Sequence, residues 1–451
     1  MSDVIVALAT PFGRSGIGVI RLSGSGALAM ASGLTGGAFS PAPRMAVLRQ
    51  IVEPATGEPI DEALITYFRG PSSFTGEDII EISCHGSPVV LRRVIDLCLA
   101  AGARMADPGE FSLRALANGR MNLAEAEAIR DLIDAQTVAS ARQAVRQMRG
   151  EFSHELQPLK DELLDVIVAL ESALEFVEDD LPEMQTASIA RRLAEVSAGV
   201  AKIAATFQAG KLIREGLKVA LVGRPNVGKS SLFNALLGID RAIVTEIAGT
   251  TRDQLHERFT IGDIPISLID TAGLRETADT VESIGVERSR KAMMDADLVI
   301  IMVDASEKIT TEDREIFESV KDLDHLIVHN KIDKNPVREA FGDDVPENAE
   351  VYISAKTGEG LDYLKRAIVE PFAPQQTEAS GFLVSDARHF DLLKRAHGEI
   401  ANSTELFAQK VSEEMVLVGL HNALRYLGEI TGETTTEDML TRIFSTFCIG
   451  K

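Results

Sequence analysis

Hydrophobic and polar residues follow three different patterns along the 451 residues of the chain, and each pattern predicts a different kind of domain. Over residues 1–118, short β-prone runs such as Val4–Leu8, Gly18–Leu22 and Ile79–Ser83 are separated by Gly, Pro and Ser turns. The segment Pro88–Ala101 instead carries apolar residues at helical spacing. This region is therefore expected to be a mixed α/β domain in which a helix packs on a sheet.

A helical pattern begins near Leu123. Between Leu156 and Val177, apolar residues recur at steps of three and four and form one stripe between charged faces, which is typical of core-facing helices in a bundle. Residues 119–215 and 376–451 share this helical character, the second segment up to its last residue. The sequence alone leaves open whether the two segments form one core.

The region between these segments, residues 216–375, has the third pattern. Its β-prone runs, such as Lys218–Val222, Leu298–Val303 and Leu326–His329, alternate with helical stretches and predict a mostly parallel sheet. A separate domain inserted into the helical region is therefore expected. The predicted fold class is multidomain, α/β plus α.

A phosphate-binding loop follows the first strand of this inserted region. Residues 223–230 have the sequence GRPNVGKS, which comes directly after a strand and opens a helix. Its glycines let backbone N–H groups curl around phosphates. We expect Lys229 to reach the β- and γ-phosphates of a nucleotide and the Ser230 hydroxyl to ligate Mg²⁺.

Three further motifs follow in order and specify the nucleotide. The sequence DTAG at 270–273 ends a strand, which places Asp270 near Mg²⁺. The sequence NKID at 330–333 ends another strand, and the Asp333 carboxylate can accept hydrogen bonds from N1–H and the N2 amine of guanine, a donor pair that adenine lacks. The sequence SAK at 354–356 is placed to close the other side of the base. Together the four motifs predict a GTPase.

The switch segment and the water-positioning residue are less regular. GTTRD at 249–253 contains the expected switch residue Thr251, ordered by Mg²⁺ and the γ-phosphate, with a plain polar turn as the alternative. Ras-type GTPases place a water-orienting Gln after the DTAG-type motif, but that position is Leu274 here. Because leucine cannot polarise water, another residue must do so. Glu282 is the candidate, although it could equally be a solvated helix carboxylate.

Charge and composition restrict the class of protein further. The formal net charge is −22, so strong nucleic-acid binding by this chain alone is not expected without a basic patch or a basic partner. The start lacks a signal-peptide pattern, and the apolar runs are too short to span a bilayer. The three cysteines, Cys84, Cys98 and Cys448, are widely spaced and indicate free thiols in a reducing cytosol. A cytoplasmic protein without membrane contact is therefore expected.

Motifs along essentially the whole chain resemble one family, the tRNA-modification GTPases called MnmE or TrmE. The matching segments are ATP at 9–11, GIGVIR at 16–21, FTGED at 74–78, PGEF at 108–111, AEAEA at 124–128, FCIGK at 447–451, the phosphate loop with Asn226, the GTTRD segment and Leu274. The resemblance implies a folate-binding domain at 1–118 that also mediates homodimerisation, a discontinuous helical domain at 119–215 and 376–451, and a G domain at 216–375.

For the G domain, the resemblance implies that two copies meet face to face around a K⁺ ion, which takes the place of an arginine finger. Glu282 matches the glutamate that orients the attacking water. The implied ligands of K⁺ are Asn226, Thr245, Ile247 and Thr250, and those of Mg²⁺ are Ser230 and Thr251. The motifs and the resemblance together predict GTP contacts at Asn226, Val227, Gly228, Lys229, Ser230, Ser231, Thr245, Thr250, Thr251, Asp270, Thr271, Ala272, Gly273, Asn330, Lys331, Asp333, Ser354, Ala355 and Lys356.

For the N-terminal domain, the resemblance implies a site for 5-formyl- or 5,10-methylene-tetrahydrofolate at Arg21, Glu81, Arg120 and Lys451. Arg120 departs from the family, where lysine is more usual, and its planar, longer side chain changes the local geometry. Without the resemblance, Arg21 and Glu81 would be surface charges or a weak ion pair. Cys448 is implied to lie toward the folate site as a candidate catalytic thiol, the alternative being a small buried hydrophobe.

The resemblance also implies a reaction and its partners. Family members act with a flavoprotein, MnmG or GidA, that binds FAD and NADH and forms a heterotetramer with the homodimer. Together they attach a carboxymethylaminomethyl or aminomethyl group to carbon 5 of the wobble uridine of certain tRNAs, with a tetrahydrofolate as the one-carbon donor. Two other classes stay open: a GTPase that acts only as an assembly switch, and a folate-dependent methyltransferase with an appended GTPase.

Overall fold

The computed structural model describes residues 3–37, 39–175, 183–239, 256–270, 293–334, 350–372 and 381–450. The chain divides into two compact units, each built from segments that are far apart in the sequence. The first comprises Met1–Arg130, Gln147–Glu175 and Ser412–Lys451, and the second Asp131–Arg146 and Phe176–Val411. Within the described residues, each unit contains one six-stranded sheet together with helices.

The sheet of the first unit is mixed and largely antiparallel. Its strands are β1 (Ile5–Leu8), β2 (Ile17–Ser23), β3 (Ala46–Val52), β4 (Pro59–Phe68), β5 (Ile79–His85) and β6 (Arg104–Met105), in the order β3-β4-β5-β2-β1-β6. Only the β1–β6 pair is parallel. The period-two pattern of half-buried strands is visible in β4, where Ala63, Ile65 and Tyr67 are buried. Sequence reasoning missed β3 and β6.

Helices cover one face of this sheet. They are α1 (Ala27–Leu34) and α2 (Pro88–Ala100), and α3 (Glu110–Ala117) follows β6. In α2, the buried residues Leu91, Val94 and Leu97 lie at helical spacing and join the core that the sheet forms. A Cβ atom at Gly18 would lie 2.4 Å from the Leu91 side chain, so the helix approaches β2 closely. The predicted α/β domain is confirmed.

The helical region before the inserted domain consists of α4 (Leu123–Asp134), α5 (Val138–Met148), α6 (Glu151–Glu175), α7 (Glu183–Ala205) and α8 (Phe207–Glu215). The stripe predicted from sequence lies on α6, where Leu156, Leu163, Ile167 and Leu170 are buried. Their spacing keeps them on one face of the helix, which is the face that packs.

The sheet of the second unit is almost entirely parallel. Its elements are β7 (Leu217–Val222), α9 (Lys229–Ile239), β8 (His256–Ile261), β9 (Ile264–Asp270), β10 (Leu298–Asp304), α10 (Thr311–Val320), β11 (His325–Asn330), β12 (Glu350–Tyr352) and α11 (Leu361–Val369). The strand order is β12-β11-β10-β7-β9-β8, and only β8 and β9 pair antiparallel. All seven positions of β10 are buried, as expected for a parallel strand covered on both faces. The carboxyl ends of β7, β10 and β11 therefore meet at one edge.

The chain returns to helices after this domain, as α12 (Ala387–Ala408), α13 (Glu413–Thr431) and α14 (Glu437–Phe444). In the first unit α13 packs against α6, and in the second unit α12 packs against α7. Helices from both sides of the inserted domain thus share cores, which confirms a discontinuous helical domain. The boundaries 1–118, 119–215, 216–375 and 376–451 stay predictions. No helix in the described part of the chain is long and apolar enough to cross a membrane.

The C-terminal segment differs from the helix that its sequence predicts. The last helix ends at Phe444, and Phe447 folds back on it with ring centroids 4.9 Å apart. Both rings join Leu123 and Ala126 in one apolar cluster. Gly450 has φ +94°, and a Cβ there would lie 2.7 Å from the Leu8 carbonyl oxygen. Burial of the Phe447 ring and this close approach both favour a turn over a continued helix.

Candidate functional site

The phosphate loop depends on glycine at two positions. Gly223 has φ +149°, and a Cβ there would lie 2.4 Å from the Met302 carbonyl oxygen. Gly228 has φ +105°, and a Cβ there would lie 2.2 Å from the Asn330 side-chain nitrogen. Any other residue would need both a strained backbone and a displaced neighbour. The loop can therefore fold back tightly between β7 and α9.

Lys229 holds its ammonium group over this loop. Its Nζ donates hydrogen bonds to the carbonyl oxygens of Gly223, at 2.6 Å, and of Arg224, at 2.8 Å. Ser230 and Ser231 follow in the first turn of α9, and both are exposed. A helix N-terminus with free N–H groups and a nearby cation favours an anion. The arrangement is suited to a polyphosphate.

The guanine-specific motif at the end of β11 is bonded to this loop. Asn330, 2% exposed, donates from Nδ2 to the Val227 carbonyl at 2.8 Å and accepts at Oδ1 from the Ala355 N–H at 2.9 Å. Lys331 Nζ donates to the Asn226 carbonyl at 2.7 Å. Asn330 therefore joins the three segments that sequence reasoning assigned to phosphate and base.

The carboxylate of Asp333, which the sequence predicts to read the base, is exposed and held from one side. Ser354 Oγ donates to Oδ1 of Asp333 at 2.7 Å, and Ser354 itself is fully buried. The same Ser354 oxygen accepts from the Thr357 N–H at 3.2 Å, which fixes its orientation. Lys356 is exposed beside them. A carboxylate that is oriented but exposed can accept hydrogen bonds from a base edge.

Sequence reasoning missed Asp304, the last residue of β10. Its carboxylate accepts from Lys331 Nζ at 2.5 Å and from Ser306 Oγ at 2.6 Å. Burial by itself disfavours the charged form, but the hydrogen bonds from Lys331 and Ser306 outweigh it and hold the pKa of Asp304 below its ordinary value. The signal was a single carboxylate at the carboxyl end of an otherwise apolar strand. Asp304 thus orients the lysine that supports the loop.

Several predicted site residues lie outside the described residues. They are Thr245, Ile247, Thr250, Thr251, Thr271, Ala272, Gly273, Leu274, Glu282 and Lys451. Asp270 is described by its backbone, which pairs with Leu221 of β7 in the parallel register. The DTAG motif therefore starts at the same sheet edge as the phosphate loop. The roles of these residues stay predictions.

A cavity of about 230 Å³ lies in the first unit. Its walls include Arg21, Glu81, Arg120 and the ring of Phe74. Arg21 and Glu81 face each other across β2 and β5, and Arg21 donates to one Glu81 oxygen from Nε at 3.0 Å and from Nη2 at 2.6 Å. An aromatic ring, guanidinium groups and a carboxylate suit a flat heterocycle that has both donors and acceptors.

The C-terminal segment reaches this cavity. Arg21 donates from Nη1 to the Gly450 carbonyl at 3.3 Å, and the Gly109 N–H donates to the Cys448 carbonyl at 3.4 Å. Cys448 is exposed, so it is not the small buried hydrophobe of the alternative interpretation. Cys84 and Cys98 are buried, and burial raises the pKa of each thiol to about 12. Of the three cysteines, Cys448 therefore carries the accessible thiol.

Comparisons with known proteins cover the whole chain. A family model described as the MnmE helical domain matches residues 123–448, and one described as the N-terminus of the GTP-binding protein TrmE matches residues 4–120. Proteins named tRNA modification GTPase MnmE are 46% identical in Koribacter versatilis and 43% identical in Aquifex aeolicus, and each alignment covers 100% of both chains.

Among solved structures, the G domain of the T. maritima FeoB iron transporter is 31% identical and covers 35% of this chain and 98% of that chain, with a TM-score of 0.26. Because that score is low, the architecture of the inserted domain rests on its own strand order and loops.

Proposed function

The chain belongs to the MnmE family of tRNA modification GTPases, and from this premise we propose how its two sites divide the work. The inserted domain hydrolyses GTP, and the cavity beside Arg21 and Glu81 holds a tetrahydrofolate that supplies a one-carbon unit. The observation that carries the GTP assignment is the set of hydrogen bonds by which Asn330 joins the phosphate loop to the SAK segment.

GTP binding uses residues of three loops. Lys229 neutralises charge on the β- and γ-phosphates, and the N–H groups at the start of α9 donate to phosphate oxygens. Asp333 accepts from guanine, which excludes adenine. Mg²⁺ would be held by Ser230 and Thr251 and would reduce the negative charge of the phosphates. The exposed position of Ser230, one residue after Lys229, fits that ligand role.

Hydrolysis needs a group that orients water, since Leu274 cannot do so. We assign this role to Glu282, which accepts a hydrogen bond from the attacking water. K⁺ would be held by the Asn226 side chain with Thr245, Ile247 and Thr250, and would supply the positive charge of an arginine finger at the face between two G domains. Asn226 is exposed and has φ +63°. Its side chain is therefore accessible to an ion, which fits such a site.

The folate site and the partner complete the proposal. Arg21 and Glu81 orient the pterin edge, Arg120 adds positive charge, and we assign Lys451 and Cys448 to the same site. The homodimer acts with a flavoprotein of the MnmG class, which carries FAD and NADH, on the wobble uridine of tRNA. Because the net charge of this chain is −22, the partner contributes much of the tRNA-binding surface.

Three measurements test these assignments separately. GTP turnover should rise when Na⁺ is replaced by K⁺ and fall at least about a hundredfold in Glu282→Ala. Equal rates in both salts would remove the cation assignment.

Calorimetry should detect 5-formyl-tetrahydrofolate binding to the full-length protein, and the absence of binding would favour a GTPase that acts only as a switch. Mass spectrometry of tRNA from a strain lacking the chain should show an unmodified wobble uridine.

A further inference from the structure

The arginine in the phosphate loop, Arg224, forms an ion pair outside the site described above. Its Nε donates to Oδ1 of Asp313 at 2.7 Å, and its Nη2 lies 3.4 Å from an Oε2 of Glu307. The Asp313 side chain is 2% exposed, that of Arg224 16% and that of Glu307 59%. The main contact is therefore a largely buried, charge-assisted hydrogen bond, and the contact with Glu307 is a peripheral one.

The two oxygens of Asp313 have different partners. Oδ2 accepts from the N–H of Thr310 at 2.9 Å and from its hydroxyl at 2.8 Å, which completes a capping box at the start of α10. Oδ1 accepts from Arg224. The cap holds the carboxylate rigidly, so the guanidinium docks on a group that does not need to be ordered first.

Arg224 connects Asp313 to Lys229, the lysine that is assigned to the phosphates. The carbonyl oxygen of Arg224 accepts from Lys229 Nζ at 2.8 Å, so the same residue is tied to α10 by its side chain and to Lys229 by its backbone. Pro225 follows and restricts the backbone of Arg224 to extended conformations. The other fixed points, Asn226 and Val227, are bonded through their carbonyls to the NKID motif.

We propose that Asp313 is a positioning residue for GTP binding, which acts through the Arg224 side chain to hold the Arg224 carbonyl and thereby Lys229 in their phosphate-binding positions. The proposal rests on the assignment of this loop to GTP. Lys229 contacts the β-phosphate as well as the γ-phosphate, so the tether supports GDP and GTP alike. Uniform binding of this kind lowers KM and leaves kcat nearly unchanged.

The test uses the full-length protein and the variant Arg224→Ala, which removes the tether and leaves the cap intact. We expect Kd for fluorescent GDP and KM for GTP to rise about fivefold, equivalent to about 1 kcal/mol, with kcat within about twofold of the wild type. Arg224→Lys keeps one charged hydrogen bond and should recover most of the affinity.

Two controls separate positioning from general destabilisation. Thr310→Ala removes the hydroxyl contact of the cap but keeps the hydrogen bond from the Thr310 N–H to Oδ2 of Asp313, so it should lower Tm and raise Kd far less than Arg224→Ala does. Glu307→Gln should change neither quantity. Unchanged Kd in Arg224→Ala would overturn the proposal, as would a fall in kcat at constant KM or an equal rise of Kd in Thr310→Ala. A wild type that fails to bind GTP in the same buffer would instead overturn the assignment of the loop.

Discussion

Two six-stranded sheets carry the two candidate sites, and they build them in different ways. In the inserted domain the strands are mostly parallel, and the candidate site consists of loops that leave the carboxyl ends of parallel strands. In the N-terminal domain the strands are mostly antiparallel, and the cavity uses side chains on facing strands, such as Arg21 on β2 and Glu81 on β5.

The difference lies in which atoms bind. In the proposed binding mode the phosphate loop uses backbone N–H groups, which every residue except proline has, so the requirement falls on local conformation and on Gly223 and Gly228. The cavity that we propose for folate offers side chains 60 residues apart, Arg21 and Glu81, so the requirement falls on strand register. A backbone site is sensitive to added atoms, whereas a side-chain site is sensitive to removed groups.

The largest effect is expected from adding one carbon to the backbone site. In Gly228→Ala the new Cβ would lie 2.2 Å from the Asn330 nitrogen at φ +105°, so GDP affinity should fall more than about a hundredfold. Titration with fluorescent GDP measures this.

Gly238→Ala is the matched control. A Cβ at Gly238, in α9, meets nothing within 4 Å, so this variant should bind GDP with normal affinity. Its free energy of unfolding should rise by up to about 1 kcal/mol, because alanine favours the helix more than glycine does. Normal nucleotide affinity in Gly228→Ala would contradict the view that the loop has no room for a side chain.

The exception within the backbone site is Asp333, whose side chain we propose to read the base. Asp333→Asn should weaken GDP binding about a hundredfold, because a carboxylate that accepts two hydrogen bonds is replaced by a group that presents an N–H to donors. The amide can donate to the carbonyl at carbon 2 of xanthine, so xanthosine diphosphate should compete better than GDP. Competition against fluorescent nucleotide measures both, and an unchanged order of preference would exclude Asp333 as the base reader.

The side-chain site should respond to a single truncation. Arg21→Ala leaves Glu81 without its partner in the cavity, and the affinity for 5-formyl-tetrahydrofolate measured by calorimetry should fall about tenfold. Arg93→Ala removes another ion-paired arginine of the same domain, bonded to Glu53 outside the cavity, and should leave the affinity unchanged. If both variants bind equally well, the cavity is not the folate site.

The smallest effect concerns the support of the backbone site. Asp304→Asn should lower the free energy of unfolding by about 1 kcal/mol at pH 7, since the acceptor of the hydrogen bond from Lys331 loses its negative charge. Because the folded pKa of Asp304 lies below its ordinary value of 3.8, this contribution is complete above that pH and is lost as pH falls below it. Urea unfolding of both proteins at pH 7 and at lower pH checks the sign, and a difference that grows on acidification would contradict it.

Much of the fold could be predicted from local patterns of hydrophobic residues in the sequence. The stripe on α6 and the apolar run of β10 are periodic within a single element, so the sequence predicted both elements. The strand β3 was missed because four of its seven residues are exposed, which leaves little alternation to detect. The end of α14 was missed because the burial of Phe447 depends on its packing against Leu123 and Ala126, which lie far away in the sequence.

By itself the sequence determined the motifs whose chemistry is local: a glycine-rich loop ahead of a helix, and a carboxylate placed to read guanine. Only the tertiary structure decided which distant groups meet, as Arg21 meets Glu81, Lys331 meets Asp304 and Arg224 meets Asp313. The physical reason is that local conformation depends on neighbouring residues, whereas strand register and helix packing depend on burial summed over the whole core.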